Sequence, residues 1–167
     1  VTPMLPPVGE EARSRRDRAL GDDESFSPLG IGEVVAADTG TDASQSLAPQ
    51  LAAVFARPTS PIWMDSSTTD ECREIEAVLG GPGATAEATG SAAFERFTGP
   101  QIRRFAKTDP EAYARTARIA LVSSFMASLL AGRLAPIDHG DGAGMNLMDI
   151  RPRRWHPQAL EATAPDL

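Results

Sequence analysis

An aspartate and an arginine stand out as chemistry-bearing residues because of what surrounds them. Asp65 closes the apolar burst Ile62-Trp63-Met64 and is followed at once by four hydroxyl residues, Ser66 to Thr69. Read as a short buried strand running into a helix, this stretch puts a carboxylate at a strand's end, where open α/β sheets bind ligands. The competing reading is that an acid just ahead of a helix stabilises the positive end of its dipole. Arg96 lies in Phe94-Glu95-Arg96-Phe97-Thr98-Gly99, a charge between two aromatics. Such a guanidinium snorkels over a core or presents its forked donors to a polar ligand. The alternative is a plain ion pair with Glu95 or a neighbouring acid.

Other groups carry weaker signals. Gly80-Gly81-Pro82-Gly83 is followed by no Gly-Lys-Ser/Thr and preceded by no strand, so it reads as a helix stop rather than a phosphate loop. Asp138-His139-Gly140-Asp141 offers oxygen and nitrogen ligands, but it lacks the alternating oxygens and closing glutamate of a calcium loop. It reads as a turn. His156 precedes Pro157 and reads as a helix-start residue rather than a base, and two histidines in such settings support no Ser-His-Asp arrangement. Cys72 is alone, which excludes an internal disulfide and a cysteine metal cluster and fits a reduced, cytoplasmic setting.

The elements that must position these residues follow from composition and periodicity. The chain has 167 residues, a length that fits one domain, with 41% apolar and 5% aromatic residues. A net charge of −7 argues against nucleic acid, whose binding needs cations on phosphates. The basic run Arg13 to Arg18 reads as a solvated segment. The N-terminus lacks the basic start and apolar stretch of a signal peptide. The longest apolar run, Ile119 to Ala131, is too short for a bilayer and is interrupted by serines.

Residues 1–46 are rich in Pro, Gly, Asp, Ser and Arg and are expected to be poorly ordered, with Ile31 to Ala37 the one stretch able to form an element. From Leu47 the character changes. Leu47, Leu51 and Val54 or Phe55 lie at helical spacing, and Pro58 and Pro61 end that pattern. A helix starting at Ser67 is expected, with Ser67/Asp70 and Thr68/Glu71 matching the capping-box pattern. Cys72, Ile75, Val78 and Leu79 form its apolar stripe, and Gly80-Gly81 stops it. A small-residue stretch leads to a helix bearing Ile102, Phe105 and Ala106. Another starts at Asp109-Pro110-Glu111, and a third runs from Ala120 to Ala131 with Leu121, Phe125 and Leu129 on one face. Leu147 to Ile150 is a strand candidate, and a last helix begins at Pro157, stapled by Trp155 and Leu160. Strand pieces alternating with helices predict an α/β, helix-rich chain. The strands are few and none has a convincing partner, so the sheet reads as incomplete.

The stretches PIWMDSSTTDECREIEAVLGG, TGSAAFERFTGPQI, ARIALVSSFMASLLAG and APIDHGDGAGMNLMDI, in that order, closely resemble the xylulose kinases of the FGGY family of carbohydrate kinases. The resemblance covers Pro61 to Leu167 and extends more loosely back to Leu47. WMDSSTT and FERFTG are its most specific motifs, and they look most like the eukaryote-type branch. It implies part of a ribonuclease-H-like, actin-like N-terminal domain over residues 47–167, with 1–46 aberrant. It implies transfer of the ATP γ-phosphoryl group to D-xylulose, with ATP and Mg²⁺ as cofactors of the complete enzyme and none bound by this chain alone.

In that family the tryptophan-x-aspartate turn borders the sugar pocket, and the arginine matching Arg96 contacts the ketose. Trp63 is then a flat wall, Asp65 an acceptor or an orienter of a neighbour, and Arg96 a donor. A sugar is all hydroxyls, and fixed polar partners reject those that leave them unpaired. The departures are plain. No Gln-His-Gly and no Gly-Asp-Asn occurs in the 167 residues, and the N-terminus does not match the family's phosphate-approaching turn. The catalytic aspartate and the C-terminal domain are expected downstream of Leu167, which makes the chain a truncated or frame-disrupted fragment without turnover of its own. The alternative is a non-catalytic sugar-binding or interaction remnant.

Overall fold

A computed structural model describes Pro49 and residues 51–167. Leu47, the basic run and Ile31 to Ala37 lie outside the described residues. The elements, in chain order, are a 3₁₀ turn Ala52–Val54, α1 Thr69–Leu79, α2 Pro82–Thr89, α3 Thr98–Thr108, α4 Pro110–Ala114, α5 Val122–Ala131, α6 His139–Ala143, β1 Met148–Asp149, β2 Arg154–Trp155 and α7 Pro157–Thr163. They fall into two compact units. One comprises Pro61–Ala114 and Ile137–Leu167; the described part of the other comprises Pro49 and residues 51–60 and 115–136.

The first unit is built on α1, α3 and α7. Their apolar faces supply Cys72 and Ile75, Ile102 and Phe105, and Ala159 and Ala162, all buried, with Met145, Leu147 and Met148 from the segment before and within β1. Burying side chains of this size contributes about 1.5–3 kcal/mol each for the larger ones. The helix boundaries follow local chemistry. Gly80 ends α1 at φ 96°, a left-handed conformation that costs glycine nothing. Asp109 accepts the Ala112 N–H at 3.1 Å ahead of α4, and His156 Nδ1 accepts the Ala159 N–H at 3.3 Å at the start of α7. A charged seam joins the three helices. Glu74 accepts from Arg103 at 2.6 Å and from Lys107 at 2.8 Å, Lys107 also reaches buried Glu71 at 3.0 Å, and Arg103 donates to the Ala162 carbonyl at 2.6 Å.

Several expectations need correction. Ile62 to Met64 is not a strand: the Asp65 N–H donates to the Ile62 carbonyl at 3.0 Å, closing a turn whose side chains are 62, 73 and 54% exposed. Pro61 withholds an N–H from any ladder, and the described sheet contains only β1 and β2. Neither capping box forms, because the Thr68 hydroxyl donates to the Glu95 carbonyl at 2.6 Å and the Ser67 hydroxyl to Asp65 at 2.6 Å. Val78 is 60% exposed, and Glu71 takes a buried position on α1. The small-residue stretch is a helix, α2, which buries Thr85 and Thr89 with their hydroxyls donating to carbonyls one turn back. The Leu147–Ile150 strand shortens to β1, and it has a partner: Met148 faces Trp155 and Asp149 faces Arg154, antiparallel. The described residues thus form a helix-rich α/β arrangement with one small antiparallel sheet.

In the second unit α5, Val122–Ala131, is ended by Gly132 at φ 63°. Phe125 meets Phe55 edge to face at 5.9 Å. Buried Ser128 donates to the Ser124 carbonyl at 2.6 Å and accepts the Ala135 N–H at 2.9 Å. The described residues contain no helix long and apolar enough to cross a membrane.

Candidate functional site

Two surface loops of the first unit carry the chemistry singled out in the sequence: the turn Ile62–Ser67 before α1, and the segment Ser91–Phe97 before α3. The first is shaped by Asp65. Its Oδ1 accepts the Ser67 N–H at 2.8 Å and the Ser67 hydroxyl at 2.6 Å, a short closed turn of the kind aspartate favours. These donors, the hydroxyl foremost, hold the Asp65 carboxyl below the usual carboxylate range, with Gln101 and Arg104 adding smaller pulls. Hydrogen bonds to the charged form are the cause.

The sign of the resulting pH dependence is fixed. A depressed carboxyl contributes order above its unfolded value, about 3.9, and loses it as pH falls through the lower folded value. An acid titration of Trp63 emission should therefore show a transition below pH ~3.9 that Asp65→Ala lacks.

The second loop carries Arg96. Its guanidinium lies 5.5 Å from the Trp63 ring and 5.6 Å from the Phe94 ring, within cation–π range of both. Phe94 in turn meets Phe97 edge to face at 5.6 Å. Among the described residues no carboxylate or carbonyl takes a guanidinium N–H. Glu95, the neighbour considered as its ion-pair partner, accepts from the Thr69 hydroxyl at 3.1 Å instead. Arg96 therefore keeps a forked donor edge at the surface while two aromatic faces restrict its motion.

Of the three residues named from the sequence, the structure brings Trp63 and Arg96 into contact. Asp65 forms no ion pair with Arg96; it is joined to the Arg96 loop through buried Gln101. The Gln101 carboxamide donates to the Glu95 carbonyl at 3.0 Å and to the Asp65 carbonyl at 3.4 Å. The fully buried Thr68 donates to that same Glu95 carbonyl, and Glu76 accepts the Ala93 N–H at 3.0 Å. Gln101, Thr68 and Glu76 were not singled out in the sequence as parts of a site. The available signal was Gln101 itself, a polar residue adjoining the inward position Ile102 on α3.

The weaker candidates are occupied by structural roles. Gly80 and Gly81 sit at positive φ between α1 and α2. Asp138 caps α6, accepting from the Gly140 N–H at 2.7 Å and the Asp141 N–H at 3.3 Å. Burial pushes the Cys72 thiol up to about 11, so at neutral pH it is protonated and a poor nucleophile. Alkylation of Cys72 at pH 8 is expected to be much slower than that of an unfolded control with an ordinary pKa near 8.5. Equal rates would show the thiol to be accessible.

Residues 59–167 match the FGGY family of carbohydrate kinases, N-terminal domain. Among similar proteins, "Xylulose kinase 2" of Arabidopsis thaliana is 58% identical over 126 residues, covering 75% of this chain and 23% of that protein. "Probable D-xylulose kinase A" of Aspergillus clavatus is 54% identical over 125 residues, 75% of this chain and 22% of its own length. "Xylulose kinase" of Rattus norvegicus is 52% identical over 118 residues, 71% of this chain and 22% of its own. The aligned part of the chain thus spans less than a quarter of the length of these relatives.

Proposed function

The chain belongs to the FGGY family of carbohydrate kinases, and from that membership we propose that it is the sugar-gripping part of an enzyme that transfers the γ-phosphoryl group of ATP to the 5-hydroxyl of D-xylulose. Residues 47–167 are assigned to a ribonuclease-H-like N-terminal domain. The observation that carries the reading is the Arg96 guanidinium between Trp63 and Phe94, with its donors not taken by any described residue. A ketose presents hydroxyl and carbonyl oxygens as acceptors, and a planar fork held by two rings meets them with little rotamer entropy left to lose. The exposed face of Trp63 supplies an apolar wall.

Phosphoryl transfer is mainly positioning and charge stabilisation, with a carboxylate taking the hydroxyl proton. Asp65 is poorly suited to act as that base. The donors on its carboxylate lower its basicity, and a general base works best with a pKa near the operating pH. Its role here is to hold the Trp63 turn. The described residues contain no group of three metal-ligating side chains, and the glycines at 80–83 form a helix boundary. ATP and Mg²⁺ would serve the complete enzyme, supplying the γ-phosphoryl group and the charge that stabilises its transfer. A cytoplasmic setting agrees with the free, buried thiol of Cys72.

The test is titration of D-xylulose into the chain carrying Trp155→Phe, which leaves Trp63 as the single reporter. A saturable change in Trp63 emission, with a midpoint in the roughly 1 μM–1 mM range usual for enzyme substrates, is expected. A flat response well above that range removes the proposal.

A further inference from the structure

We infer that Asn146, on the turn before β1, is a positioning residue that fixes Arg96 against Trp63 by clamping the loop that bears it. The inference rests on the sugar-gripping reading for its functional meaning and on geometry for its existence. Asn146 is 1% exposed and holds φ 58°, a left-handed conformation uncommon outside glycine. Its Nδ2 lies 3.1 Å from Thr89 Oγ1, 3.0 Å from Ser91 O, 3.0 Å from Ser91 Oγ and 3.4 Å from Ala92 O. The Thr89 hydroxyl hydrogen already has carbonyl acceptors at Thr85 and Ser91, which leaves its oxygen as the acceptor toward Nδ2.

Asn146 Oδ1, also buried, has no hydrogen-bond partner among the described residues. Two unfavourable features thus meet at one residue: a left-handed backbone and a buried amide satisfied on one side only. Such local costs persist where the surrounding structure demands the arrangement. The demand is visible on both ends of the loop. At its start, the Asn146 amide holds Ser91 and Ala92. At its end, the adjacent Met145 carbonyl accepts the Gly99 N–H at 2.9 Å. One turn therefore grips both ends of the segment that carries Phe94 and Arg96, while Thr68 and Gln101 hold its centre at the Glu95 carbonyl.

A purely structural Asn146 would contribute stability and leave the Arg96–Trp63 contact unaltered in molecules that remain folded. The experiment separates the two in the full chain carrying Trp155→Phe. Asn146→Gly keeps access to the left-handed backbone and removes only the amide. Acrylamide quenching of Trp63 is measured well below the melting midpoint, with far-UV circular dichroism as the check on folding and Arg96→Ala as the reference for an uncovered ring. Quenching in Asn146→Gly should rise most of the way to the Arg96→Ala value, and the D-xylulose dissociation constant should rise about tenfold.

Ser91→Ala, which removes one acceptor from the loop side, should move quenching in the same direction by less, and it decides the matter if Asn146→Gly does not fold. Wild-type quenching in a folded Asn146→Gly chain, or in Ser91→Ala where that variant decides, overturns the inference. If the unsubstituted chain binds no D-xylulose, the sugar reading fails, while the quenching comparison still decides whether Asn146 positions Arg96.

Discussion

Arg96→Ala is expected to weaken D-xylulose binding by 10- to 100-fold while leaving the fold in place. The binding loss follows from removing one net charge-assisted hydrogen bond, worth about 1.5–3 kcal/mol, converted at about 1.4 kcal/mol per factor of ten. The small structural effect follows from exposure: among the described residues Arg96 contributes to the loop only through its two ring contacts, each worth about 0.5–1 kcal/mol at a surface site. Arg96→Lys should recover little of the affinity, because an ammonium neither offers a planar face to the Trp63 and Phe94 rings nor presents a bidentate fork. Calorimetric titration with the sugar and a melting curve on each variant check both halves. In a complete enzyme the same substitution should raise the Michaelis constant for the sugar strongly and that for ATP little. Equal effects on both would assign Arg96 a structural role instead.

The parts of the fold that were legible in the sequence are those written in local chemistry. Ile75, Ile102 and Phe105 announce the inward faces of α1 and α3 by spacing, and Gly80 and Gly132 mark helix ends by the conformation they alone adopt freely. Where a residue's partner lies far along the chain, local reading fails. Thr68 looks like a cap because it has the right neighbours, but its hydroxyl is taken by Glu95, 27 residues away. Helix α2 has no apolar stripe to read; it is held by buried threonines bonded to their own backbone. The turn Ile62–Met64 looks like a strand because its residues are apolar, yet they are left at the surface beside Arg96. The candidate site is half legible for the same reason. Its residue types were readable from the motifs, while the supports under them, Gln101, Glu76 and Asn146, act across the fold and leave no periodic trace.

The same chemical change at two glycines should have opposite signs, and this is the sharpest check on the loop's architecture. Gly83 lies in α2, and a Cβ built there meets nothing within 4 Å. Gly83→Ala should therefore stabilise the chain by up to ~1 kcal/mol, through helix propensity and a less flexible unfolded state. Gly99 lies in the first turn of α3, where propensity alone predicts the same gain. A Cβ there falls 2.9 Å from the Met145 carbonyl oxygen and 3.4 Å from Leu147 Cδ2. The first contact is with backbone, so rotamer change cannot relieve it. Met145 and α3 must separate, stretching the hydrogen bond from the Gly99 N–H that closes the loop. Overpacking of this kind costs about 1–3 kcal/mol. The displaced segment is the one Arg96 stands on, so Gly99→Ala should also weaken sugar binding and increase Trp63 quenching, neither of which Gly83→Ala alters. Melting midpoints that rise for both variants would show that the close approach of α3 to the Met145–Asn146 turn is not what holds the loop.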